Sequence, residues 1–140
     1  MTENATTYGE SIAQTLRDLD DLANEIGQAD ADPDRLASLW ESVGLTPTES
    51  DPGGMGVVWS WLDSQLDAEV LTGNRGRFRV EVLVTYGGPN AWVIYDTADG
   101  DGVVSVVCYW GGEKYERALV LPIVADTLHE YATVAESVLD

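Results

Sequence analysis

The sequence predicts an α+β fold: three N-terminal helices, a four-stranded antiparallel meander and a C-terminal helix, in one domain spanning residues 1–140. Three observations predict it. Before position 72, apolar residues recur at three- and four-residue steps, the period of a helix face. From Phe78 the period drops to two, that of a half-buried strand. Gly-rich gaps of a few residues separate the strand-like runs, so neighbours pair antiparallel and the helices segregate from the sheet. A length of 140 residues, 44% hydrophobic with five Trp and six Tyr, supplies one core of ordinary size and excludes wholesale disorder.

The first helix runs from Tyr8 to about Ile26, with Ile12, Leu16, Leu19, Ala23 and Ile26 as its apolar stripe and Gly27 as its stop. The second starts at Pro33 behind Asp32, a cap followed by proline in the first helical position. Leu36, Leu39, Trp40 and Val43 form its inner face, and Gly44 ends it. Residues 45–56 (LTPTESDPGGMG) read as a loop. In Val57 to Leu71 the four-residue spacing of Val58, Leu62, Leu66 and Val70 favours a third helix closed by Gly73. The alternation of Val57, Trp59 and Trp61 would also suit a short strand.

The first strand alternates Phe78, Val80, Val82, Val84 and Tyr86 with Arg77, Arg79, Glu81, Leu83 and Thr85. Gly-Gly-Pro-Asn (87–90) turns the chain into a strand over Ala91 to Thr97, and Ala-Asp-Gly-Asp-Gly (98–102) turns it again. Val103 to Trp110 is apolar on both faces, which predicts a central strand covered on each side. After Gly111-Gly112 comes a short charged strand, Glu113 to Leu119. The final helix begins near Pro122 and carries Val124, Leu128, Tyr131, Ala135 and Val138 on one face.

The charge is unusual for such an interior. Twenty-five acidic and seven basic residues give −18. The helical part, residues 1–72, holds 15 acidic and 2 basic side chains; residues 73–140 hold 10 and 5. A helix studded with carboxylates presents closely spaced negative charge, as a nucleic-acid backbone does, and attracts cationic grooves while repelling phosphate. The candidate partner-binding residues are therefore Glu10, Asp18, Asp20, Asp21, Glu25, Asp30, Asp32 and Asp34. Their expected partner is the basic surface of a nucleic-acid-binding protein, with no direct nucleic-acid binding. The competing explanation is solvation in a high-salt cytoplasm, where a Debye length near ~3 Å at 1 M salt makes the surplus tolerable. The uneven split between the two halves favours a functional face, since adaptation alone acidifies every exposed surface.

Catalytic and metal chemistry find few residues. One Cys and one His exclude an internal disulfide framework and a Cys/His zinc site. A nucleophilic pair would need Cys108 and His129 to meet with an orienting acid; a buried thiol and a surface or packed histidine are the simpler expectation. Asp30, Asp32, Asp34, Ser38 and Glu41 match the oxygen positions of an EF-hand calcium loop. Arg35 stands where its glycine is needed and Ala37 where a large aliphatic belongs, so a helix cap within a solvated acidic turn is expected instead. Gly53-Gly54-Met55-Gly56 lacks the Lys-Ser/Thr and preceding strand of a phosphate loop. No cofactor or metal is expected, and no enzymatic activity. Arg75, Arg77 and Arg79 form the sole basic cluster, expected on one strand face and paired with the chain's own carboxylates. A twin subunit as their partner would make a homodimer. No run approaches the roughly 20 apolar residues that cross a bilayer. The N-terminus MTENATTYGE has no secretion-signal pattern, so a cytoplasmic protein without a membrane partner is expected.

The hairpin over 82–94 resembles one found in small acidic phage- and plasmid-borne proteins, a strand–[ST]-x-GGP–strand signature followed by an acidic turn and a strand ending in Tyr/Trp. Thr85, Gly87, Gly88, Pro89, Tyr109 and Trp110 carry the match, over about 40 of the 140 residues. In size and charge the chain is also similar to counter-defence proteins of mobile elements, the anti-CRISPR and antirestriction inhibitors. That resemblance implies an acidic protein that blocks a nucleic-acid-binding surface.

Overall fold

A computed structural model describes residues 5–26, 32–43, 54–87, 89–99 and 101–139. Helices α1 (Ala5–Ile26), α2 (Pro33–Val43) and α3 (Gly54–Asp63) precede strands β1 (Asp67–Thr72), β2 (Phe78–Thr85), β3 (Asn90–Asp96), β4 (Val103–Trp110) and β5 (Glu113–Val120), and α4 (Pro122–Leu139) follows. The strands form one antiparallel sheet in chain order, β1-β2-β3-β4-β5. The α+β class, three preceding helices and the C-terminal helix are as expected; the sheet has five strands rather than four.

The extra strand comes from the stretch read as the lower half of the third helix. That helix ends at Asp63, where the Trp61 carbonyl accepts from the Ser64 N–H at 3.1 Å, the Ser64 hydroxyl at 2.6 Å and the Gln65 side-chain amide at 2.9 Å. Side chains that satisfy a terminal carbonyl stop the helix there. Leu66, counted on the helical stripe, is 63% exposed. Beyond it Ala68 and Val70 turn inward on β1, paired with Val82 and Val80. The helix also starts earlier than expected, at Gly54 inside the stretch assigned to a loop.

The core lies between one face of the sheet and the helices. Val80, Val82, Val93, Val104 and Val106 are completely buried there. α1 crosses β4 and β5, α4 crosses β2, β3 and β4, α2 packs on α1, and α3 packs on both α1 and α4. Ile12, Leu16, Leu19 and Ala23 are buried as the stripe on α1 requires, and Leu39 and Val43 anchor α2. α1 approaches β5 closely because Gly9 rests on the Tyr115 ring; a Cβ at Gly9 would stand 2.1 Å from Tyr115 Cδ1. The terminating roles assigned to Gly27 and Gly44 lie outside the described residues.

The opposite face of the sheet is covered by no described element. β4 is therefore roofed on one side only, not on both. Its outward residues shelter among neighbouring side chains: Val107 is buried, Val103 and Ser105 are half-buried, and Tyr109 is 42% exposed.

Candidate interaction surface

α1 is ringed by other elements, so its carboxylates point to different neighbours. Glu10 takes a guanidinium N–H of Arg117 on β5 at 3.0 and 3.2 Å. Asp18 accepts from Gln14 at 3.0 Å and from the Ser42 hydroxyl on α2. Glu25 pairs with Arg35 of α2 at 2.9 Å. Asp21 is exposed. Asp32 accepts the Asp34 N–H at 3.0 Å as the expected cap of α2, and both carboxylates are exposed. Asp30 lies outside the described residues.

Asp20 has a distinct task. α4 opens with Pro122 after an apolar, buried Leu121, so no local side chain can take up the free N–H groups of its first turn. Asp20 Oδ1 accepts both the Ile123 and Val124 N–H, at 2.9 and 3.0 Å, capping α4 from α1. Burial raises its pKa above the ordinary Asp value; the two N–H groups oppose the shift, and Asp21 and Asp126 add to it. Asp20, Asp21 and Asp126 thus gather at one end of α4, whereas Glu10, Asp18 and Glu25 are turned elsewhere.

The arginine cluster differs from expectation. Only Arg79 stands on a strand. Arg75 sits in a tight turn over Asn74–Gly76 with φ 62°, and Arg77 precedes β2. The turn takes them off the strand, so the three do not share a pleat. Arg79 donates to Asp96 at 3.0 Å and to Glu81 at 3.3 Å, as expected of internal pairing. The Ala98 N–H, and Arg79 after it, hold the Asp96 carboxyl below its ordinary value.

His129 and Cys108 occupy different environments. Cys108 is buried on the helix-facing side of β4, and burial pushes its thiol pKa up, away from the reactive thiolate. His129 Nδ1 shares a hydrogen bond with the Tyr95 hydroxyl at 2.9 Å and its ring lies 4.9 Å from that of Phe78. Burial, followed by Asp126 and Asp101, raises the Tyr95 phenol.

The open face of the sheet carries a feature that reading the sequence one strand at a time does not assemble. The register aligns Asp67, Leu83, Trp92, Val107 and Glu116 in one row across all five strands. Three apolar residues occupy the middle and a carboxylate stands at each end. In the next row Glu69 faces Glu81, then come Ile94, Ser105 and Ala118. A depression of about 510 Å³ opens beside these rows, between Arg79, Ile94, Asp99, Val107 and Glu116. Tyr109 meets Trp92 edge-on at 5.9 Å, and the Lys114 ammonium lies 5.7 Å from the Tyr109 ring centre. The signal available in the sequence was the two-faced apolarity of β4. Among the described residues no helix is long and apolar enough to cross a membrane. No family model, curated protein or solved structure matches the chain.

Proposed function

We propose that the protein is a non-enzymatic acidic interaction protein, of the inhibitor type carried by mobile elements. Its carboxylates occupy a cationic groove on a nucleic-acid-binding partner in place of nucleic acid. One observation carries this reading: internal pairing leaves the negative field almost intact. Among the described residues, ion pairs engage Arg35, Arg79 and Arg117 with only Glu10, Glu25, Glu81 and Asp96. Asp21, Asp32, Asp34, Glu41 and Asp63 on the helical side stay exposed. Such a field accelerates encounter with a basic surface and repels phosphate.

Displacement tests the proposal. The protein is titrated into purified effector–nucleic acid complexes of restriction and CRISPR type at 50 mM and 500 mM KCl. Release of nucleic acid at low salt, weakened at high salt and abolished by Asp21→Lys/Asp32→Lys/Asp34→Lys, is the expected result. Release that ignores both the reversals and the salt, or no release from any complex, overturns it.

A second reading has its own support. Exposed carboxylates also populate the sheet, at Asp67, Glu69 and Glu116, as solvation in concentrated salt requires. It expects a chain unfolded in dilute buffer that refolds in molar KCl, followed by circular dichroism.

A further inference from the structure

The open face of the sheet gives the molecule a second surface of different chemistry from the exposed helical carboxylates. At the centre of this unroofed face Leu83 and Trp92 are half-buried beside a buried Val107, and Tyr109 is 42% exposed. Apolar and aromatic surface that no described element covers marks interaction sites, and Trp and Tyr are the residues that most often anchor one. The row Asp67–Leu83–Trp92–Val107–Glu116 has an apolar centre and acidic ends. With strands about 4.8 Å apart, its ends are separated by about 19 Å, the length of about 13 helical residues. Beside it Glu69 stands directly opposite Glu81; Arg79 holds Glu81 at 3.3 Å, and Glu69 is exposed.

Charge decides between occupants. The face and its rim carry six carboxylates, Asp67, Glu69, Glu81, Asp96, Asp99 and Glu116, against Arg77, Arg79 and Lys114, with Glu81 and Asp96 held by Arg79. A second copy would set this excess against itself. We propose that the open face docks an amphipathic cationic helix of a partner protein. The helix lies across the strands, its apolar stripe over Leu83, Trp92 and Val107 and its Lys or Arg residues at Asp67 and Glu116. The inference rests on the preceding reading only in taking the partner to be basic.

The probe is a synthetic amphipathic peptide of about 18 residues, Leu and Trp on one face and Lys flanking it, beside a scrambled peptide of the same composition. Each is titrated into the isotope-labelled full chain and followed by amide shifts. The expected result is saturable binding of the patterned peptide alone, with shifts centred on Leu83, Trp92, Val107 and Tyr109. Trp92→Ala weakens it by about tenfold or more, as loss of an anchor does. Asp67→Lys/Glu116→Lys, on exposed positions that spare the core, weakens it similarly, while Asp21→Lys/Asp32→Lys/Asp34→Lys changes it less than about threefold, the size of a remote charge effect. Equal binding of the scrambled peptide, shifts confined to the helices, or indifference to Asp67→Lys/Glu116→Lys overturns the proposal. So does a dimer in sedimentation that Trp92→Ala dissolves, because the face then belongs to a second copy. If peptide binding holds while displacement of nucleic acid fails, the nucleic-acid mimicry falls and the docking face stands; the reverse pattern separates them the other way.

Discussion

The two faces of the sheet share the same strands and differ in nearly everything else. On the side facing α1 and α4, five valines are fully buried. On the other side Leu83, Trp92 and Ile94 stay half-buried among Glu81, Arg79, Asp96 and Glu116. Packing density holds the first face to a unique arrangement; the second is held by the Arg79 pairs with Asp96 and Glu81 and by half-buried apolar side chains. The buried valines place most of the packing on one surface of the sheet.

Truncation on each side gives the largest contrast. Leu16→Ala on α1, at a completely buried site, is expected to cost about 2–5 kcal/mol in urea unfolding. Ile94→Ala on the open face is expected to cost about 1 kcal/mol, because a half-exposed side chain forfeits less transfer energy and leaves no closed cavity. Equal losses would mean that the open face is covered. Gly9→Ala comes next: its methyl would drive Tyr115 away from α1, at about 1–3 kcal/mol, and would be read as a lowered midpoint at unchanged slope.

Asp20 sharpens the comparison through pH. Asp20→Ala removes the cap of α4 at about 1–2 kcal/mol. Asp20→Asn keeps an acceptor oxygen but not the charge. With a folded pKa above the ordinary 3.8, the proton-linked part of the Asp20 contribution is fully present below the unfolded value and is lost as pH rises through the folded one, while the cap itself persists in the carboxylate. Asp96, with its folded pKa lowered from 3.8, contributes stability that is present above the unfolded value and lost as pH falls through the folded one. Unfolding midpoints taken across this acid range should therefore diverge in opposite directions for Asp20→Asn and Asp96→Asn, each relative to the parent. Parallel profiles would refute the assignments. The smallest effect belongs to Arg75, held at φ 62°: Arg75→Gly is expected to stabilise by about 0.5–1 kcal/mol in the same assay, since glycine accepts that conformation without strain.

The meander was legible because each of its strands declares itself locally. Valine alternation marks β2, and short Gly-containing turns fix the neighbours of β3, β4 and β5. α1, α2 and α4 were legible from their stripes, and Pro33 behind Asp32 marked the start of α2. β1 was missed because Val58, Leu62, Leu66 and Val70 happen to fall four apart, and only the side-chain caps at Ser64 and Gln65 break that spacing. At the level of the surface, sequence distance hid the answers. Asp20 caps a helix 103 residues away and Glu10 meets Arg117 across 107, so carboxylates that looked equivalent along α1 have separate duties. The apolar row on the open face depends on the register of five strands, which no single stretch reveals.

The placement of α1 bears on how the chain reaches this state. Of its partners, α2 and α3 follow it directly in the chain, whereas β4, β5 and α4 are made long after it during translation, while the meander closes hairpins between adjacent segments. Until the sheet exists to receive it, the early helix has only α2 and α3 to pack against, a delay of several seconds at about 5–20 residues per second. Over that interval the surplus of carboxylates along the helical segment leaves the nascent chain strongly negative, and like charge opposes the association of apolar surfaces between chains.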